Sequence, residues 1–184
     1  LLAPGPHLNA AERYNLTPNV DRWVVKETLQ WLGENPNVID QIEYMSVNLS
    51  GLSICEDSFT DFITGCFKDS NVSPDKICFE ITETAAVSNF IRAGEFISAM
   101  KDLGCKFALD DFGSGMSSFA YLKKLPVDIL KIDGLFIKDI LHDPIDMAMV
   151  KSINEVGHVM GLKTIAEYVE NQSILEVLRV LEVD

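Results

Sequence analysis

Six side chains in this sequence could do chemistry together: Asn48, Glu80, Asp110, Asp111, Lys131 and Glu167. Each stands where a short apolar run turns polar, in "VNLS" (47–50), "FEIT" (79–82), "FALDD" (107–111), "ILKID" (129–133) and "TIAE" (164–167). Asn48, Glu80, Asp110 and Asp111 supply oxygen ligands only, a set that suits hard cations such as Mg2+ or Mn2+ and not thiolate-preferring zinc. Adjacent carboxylates such as Asp110 and Asp111 repel each other unless a cation lies between them. Two divalent ions roughly 3.5–4 Å apart would hold such a set, activate a water and stabilise both oxygens of an in-line phosphoryl displacement. Taken singly, each residue has a plainer reading. Asn48 could bond a strand-end backbone, the Asp pair could cap a helix, and Glu80, Lys131 and Glu167 could be solvated charges. Their joint placement at successive strand ends favours metal-assisted phosphoester hydrolysis.

The elements that must position them alternate strand and helix. The segments 42–50, 76–82, 105–110, 127–133 and 162–167 have the length and β-branched content of strands. Between them, 18–33 repeats Val20, Trp23, Val24 and Trp31 at helical spacing, with Gly33 as a stop. Segment 85–103 carries Phe90, Ala93, Ile97 and Met100 on one face and ends at Gly104. Segment 144–160 opens on Pro144 and closes at Gly161, and 170–182 reads as a last amphipathic helix. Alternating β and α predicts a mainly parallel sheet, either a barrel or an open doubly wound sheet. The barrel is preferred, because all its strand ends meet at one mouth, whereas an open sheet gathers ligands only at a switch point. No GxGxxG or Walker sequence marks a dinucleotide or P-loop site.

Composition narrows the function classes. The 184 residues suffice for one domain, 1–184, with a sizeable core, and hydrophobic residues at 47% read as globular. Fifteen basic against 28 acidic residues leave a net charge of −13, which repels a nucleic-acid polymer. A small anionic nucleotide remains a possible ligand if bound cations reverse the local field. Cys55, Cys66, Cys78 and Cys105 show no CxxC spacing and read as reduced core thiols of a cytoplasmic protein. "LLAPGPHLNA" lacks the basic and apolar regions of a signal peptide, and no apolar run is long enough to span a bilayer. His7, His142 and His158 pair with no candidate nucleophile, and Ser50 and Ser53 lie in no nucleophile elbow.

These residues resemble a known family. "AAERYNLTPNVDRWVV", "VNLS", "FEITET" (79–84), "DDFGSGMSS" (110–118), "YLKKLPVDILKID" (121–133) and "IAEYVE" (165–170) follow in the order and spacing of the EAL domain, across nearly the whole chain. The resemblance implies an α/β fold of the (β/α)8 TIM type that cleaves cyclic di-GMP to linear pGpG with two Mg2+ or Mn2+ ions. Carried over motif by motif, Asn48, Glu80, Asp110 and Asp111 would be metal ligands. Lys131 would hold the attacking water and the scissile phosphate, and Glu167 would bind metal or help deprotonate the water. Glu83 would steady the loop after Asp111, while Ser50 and Asp133 would contact substrate.

The same resemblance implies a cytoplasmic domain fused to GGDEF or sensory modules in a parent protein that could be membrane-anchored, with a homodimer as a further option. A relative that binds cyclic di-GMP without cleaving it and relays the signal is the alternative function. The family's Glu-Ala-Leu motif is expected ahead of Leu1 and its late glutamine after Asp184, so the barrel is expected to be incomplete at both ends in this chain. Within the matched motifs the chain departs from the family at Ser114, Met116, Gly134 and Tyr168, where Thr, Tyr, Arg and Gly are usual.

Overall fold

A computed structural model describes residues 10–115 and 119–184. His7 and Met116 therefore lie outside the described residues. Five strands form one sheet: β1 (Met45–Asn48), β2 (Ile77–Thr82), β3 (Lys106–Phe112), β4 (Ile129–Ile132) and β5 (Lys163–Ala166). Their spatial order is β1-β2-β3-β4-β5, and every neighbouring pair is parallel. A doubly wound sheet reverses its order at a switch point and carries helices on both faces. Among the described residues neither is seen.

One face of the sheet carries Val47, Phe79, Ile81, Phe107, Leu109, Leu130 and Ile132, which join the main core beneath the helices. The opposite face carries a separate small cluster of Cys78, Ala108 and Ile129, with Tyr44 and Ile165 against it and no helical residue among its members. One helical layer outside and a strand-only layer inside is barrel wall architecture. The fold is the expected TIM type, represented by five consecutive parallel strands.

The outer helices bury apolar stripes at three- and four-residue spacing. Helix α1 (Thr17–Glu34) buries Asp21, Val25, Leu29 and Leu32. Helix α2 (Asp57–Ser70) buries Phe59, Ile63 and Phe67 and ends on Asn71 in the left-handed region. Helix α3 (Phe90–Leu103) buries Ala93, Phe96, Ile97 and Met100 and stops at Gly104. Helix α4 (Pro144–Val159) is capped by the Asp143 carboxylate, which accepts from Ile145 N and Asp146 N. Helix α5 (Gln172–Val180) is capped by Asn171 and buries Ile174 and Leu178.

Three expectations are corrected. The buried stripe of α1 is not the one carrying Trp23 and Trp31, which are 64% and 47% exposed. Both stripes have helical spacing, and only the packing against α2 selects between them. The continuous helix 85–103 is broken at Asn89, whose backbone leaves the helical region. A short helix, Glu83–Ser88, starts at the end of β2 with the Thr82 hydroxyl accepting from Ala85 N. One straight helix could not both hold Glu83 at that strand end and lay Phe96 and Ile97 on the sheet. Finally, Cys105 sits one residue before β3 and not within it.

All four cysteines are free. Burial above all pushes the Cys78 and Cys105 thiols up to about 12. Ellman's reagent at about pH 8 is therefore expected to leave both unreacted in the native protein and to label them only in denaturant, since the thiolate is the reactive form. Native labelling of Cys78, located by mass spectrometry, would contradict this packing.

Candidate active site at the strand ends

The period of two along a strand sorts residues onto faces. On the inner face the small layer Cys78, Ala108 and Ile129 is followed, two residues further along each strand, by Glu80, Asp110 and Lys131. Asn48 is paired in register with Glu80, and Lys131 with Ile165, two residues before Glu167. An apolar floor with a polar ring above it is thus written into the alternation once the strands are in register.

Lys131 is the centre of that ring. Its Nζ lies 2.8 Å from Glu80 Oε2, 2.8 Å from Asp110 Oδ1 and 2.8 Å from Glu167 Oε1. The ammonium has three protons, and each finds a carboxylate. Burial is the largest single influence on Lys131 and lowers its pKa, but the hydrogen bonds to Asp110, Glu167 and Glu80 together outweigh it and raise the pKa. Lys131 is charged at every physiological pH.

The adjacent aspartates are reconciled by a β-bulge. Leu109 pairs with Leu130 and Phe112 with Ile132, so Asp110 and Asp111 together oppose the single residue Lys131. Asp111 takes a left-handed backbone, φ 53°, a region that Asp tolerates better than most residues. Strict alternation would have sent one carboxylate to each face. Instead Asp110, Asp111 and Glu167 offer oxygens that all lie within 4.8 Å of one another. Burial, followed by the charges of Asp110, Asp133 and Glu167, raises the Asp111 pKa against the opposing pull of Lys131. The ring holds four carboxylates against one ammonium and remains strongly negative.

The supporting loops are tied to the same ends. Glu83, 3% exposed, accepts from Gly113 N at 2.9 Å through Oε2, and Gly115 lies against its carboxyl group. Gly113 has φ 105°, and a Cβ there would fall 2.6 Å from the Phe136 ring, so only glycine fits the turn. The Tyr121 phenol is buried beside Glu83, and its pKa is raised by burial and by that carboxylate.

Ser50 and Asp133, the two expected substrate contacts, also have protein partners. Ser50 N donates to Asp21 Oδ2, and the Ser50 hydroxyl meets that of Ser53 at 3.1 Å. Asp133 Oδ1 accepts from Leu135 N, capping the short helix Gly134–Lys138. Asn48 is exposed at the end of β1.

Asp21 is the residue that sequence reasoning passed over. It is 8% exposed and accepts from both Ser50 N and the Ser53 hydroxyl, fixing the loop that follows Asn48. The sequence offered only its four- and eight-residue spacing to Val25 and Leu29; packing selects that stripe as the buried one, where an ionised group needs partners. His158, by contrast, meets Asp184 near Thr164, toward the start of β5 and away from the ring. Among the described residues no helix is long and apolar enough to cross a membrane.

The EAL domain family model matches residues 1–184. The chain belongs to the EAL domain family. It is 41% identical over 184 residues to the cyclic di-GMP phosphodiesterase PdeB of Shewanella oneidensis, covering all of this chain and 21% of that protein. It is 40% identical over 178 residues to the cyclic di-GMP phosphodiesterase PdeA of Borreliella burgdorferi, covering 96% of this chain and 26% of that protein. The chain thus spans about a quarter or less of these relatives. Among solved structures, the PaMucR phosphodiesterase in complex with c-di-GMP superposes with a TM-score of 0.92 at 30% identity, covering 100% of this chain and 74% of that one. The FimX EAL domain from Pseudomonas aeruginosa bound to c-di-GMP gives 0.89 at 27% identity, covering 99% and 72%.

The Lys131→Met variant removes the counter-charge of three largely buried carboxylates. With divalent ions chelated it is expected to lose about 3 kcal/mol of stability in urea unfolding, as other buried ion pairs do when one partner is deleted. Millimolar Mg2+ should restore part of that loss. An unchanged urea midpoint would show that the ring does not depend on its lysine.

Proposed function

We propose that this EAL domain hydrolyses cyclic di-GMP to linear pGpG, dependent on two Mg2+ or Mn2+ ions held by Asn48, Glu80, Asp110 and Asp111. The observation that carries this reading is the hard-oxygen cluster of Asp110, Asp111 and Glu167 within 4.8 Å, at strand ends shared with Glu80. The excess of carboxylates, with Asp111 already resisting ionisation, is a site short of positive charge, and its donors are those that hard cations prefer. Bound there, such ions supply neutralising charge and water activation for in-line displacement at phosphorus.

The chain's own residues divide the remaining work. Lys131, held in the unloaded ring by Glu80, Asp110 and Glu167, gains free N–H donors for the attacking water and a phosphate oxygen when Glu80 and Asp110 turn to the cations. Glu167, at the more open side of the ring, accepts the proton of that water. Glu83 holds the loop after Asp111 through Gly113, so the bulge keeps its shape while a ligand enters. The relatives and the two nucleotide-bound structures supply the choice of substrate by likeness. Residues 1–184 are read as part of one such domain, which in the whole protein is joined to sensory or GGDEF segments and works in the cytoplasm.

Glu80→Ala and Asp110→Ala are each expected to lower pGpG formation from cyclic di-GMP by at least about a hundredfold, the scale of losing several kcal/mol of transition-state stabilisation. Circular dichroism should be unchanged, and chelation should silence the wild type. Normal turnover by both variants would sink the proposal. Binding of cyclic di-GMP without cleavage by wild type would point instead to a receptor.

A further inference from the structure

Tyr168 follows Glu167 directly, one residue beyond the last carboxylate of the ring, yet the chemistry above makes no use of it. Its ring is 60% exposed. Its backbone is left-handed, φ 53°, a conformation that bulky residues rarely adopt. The ring is nevertheless held on two sides. It lies on Gly134, where an added Cβ would come within 2.1 Å of Tyr168 Cδ2, so no side chain at position 134 is compatible with it. Lys138 Nζ lies 4.4 Å from the ring centroid, in a cation–π contact. Gly134 and Lys138 begin and end the short helix that leaves β4, the strand carrying Lys131. The ends of β4 and β5 therefore share one exposed, pinned aromatic ring, carried by the residue directly after Glu167.

We propose that Tyr168 is a substrate-positioning residue that stacks on one nucleobase of the ligand. This rests on the reading of the ring as a site for a cyclic dinucleotide. The reason is geometric. Carboxylates and their cations take up the phosphodiester, so the bases project past the ring toward the rim. An exposed aromatic face there offers stacking to any base, independent of hydrogen-bond pattern. Gly134 and Lys138 hold the ring before the ligand arrives, which reduces the ordering entropy lost on binding. Gly134 acts only by leaving room, as the missing Cβ shows.

The test is equilibrium dialysis of cyclic di-GMP in Mg2+ against wild type, Tyr168→Phe, Tyr168→Ala and Gly134→Ala, with steady-state kinetics of pGpG formation alongside. Loss of one base stack is expected to weaken binding by Tyr168→Ala about tenfold, with a matching rise in KM, while kcat and melting temperature stay the same. Tyr168→Phe keeps the ring and should bind as wild type does. Gly134→Ala displaces the ring without removing it and should lose affinity to a similar degree. Wild-type affinity in Tyr168→Ala would overturn the inference, as would a loss in Tyr168→Phe equal to that in Tyr168→Ala. No binding by wild type would overturn the reading of the ring and this inference with it, which separates the two failures.

Discussion

A single ammonium group shared by three carboxylates organises the inner face of this sheet. Lys131 reaches Glu80 on β2, Asp110 on β3 and Glu167 beyond β5 at equal distances, so one side chain ties together strands whose backbones are not all neighbours. The arrangement persists because the groups are largely buried, which penalises any charge left unpaired. It also sets a boundary on chemistry. Lys131 neutralises only part of the negative charge, and burial, followed by the charges of Asp110, Asp133 and Glu167, raises the pKa of Asp111, which lies outside its three hydrogen bonds. The same lysine that stabilises the fold therefore leaves a site that still attracts cations.

That balance requires the bulge in β3. A regular strand would present Asp110 inward and Asp111 outward into the helical layer, where an ionised carboxylate has no partner. The extra residue and the left-handed turn at Asp111 bring both to the inner side. The loop that follows is then held by Glu83, itself placed by the short helix at the end of β2. Bulges next to active sites commonly re-aim a side chain in this way. Here the strain at Asp111, the glycine turn at Gly113 and the buried Glu83 form one unit, and altering any of the three would loosen the others.

The outer layer does simpler work. Phe59, Phe79, Phe96 and Phe107 form a run of aromatic contacts from α2 through α3 to β2 and β3. This packing makes the strand positions rigid enough for side chains on the opposite face to be placed within hydrogen-bond reach. The candidate chemistry lies at the C-terminal strand ends, above the apolar layer of Cys78, Ala108 and Ile129.

The amino-acid sequence by itself determined which residues face inward and what chemistry they could do. Alternation along each strand puts Glu80, Asp110, Lys131 and Glu167 on a common side, and their types select hard cations and phosphoesters. It also set the helix ends, through Gly104, Pro144 and Asn171. Tertiary structure alone decided the rest. The bulge depends on the register of β3 against β4, which no local pattern encodes. The choice between the Val25–Leu29 and Trp23–Trp31 faces of α1 depends on what packs against it, as does the burial of Asp21. The seating of Tyr168 on Gly134 joins residues 34 positions apart, a contact that exists only once β4 and β5 lie side by side. Local patterns report the preferences of one segment, whereas register and packing are properties of pairs of segments, and these fix where each side chain finally points.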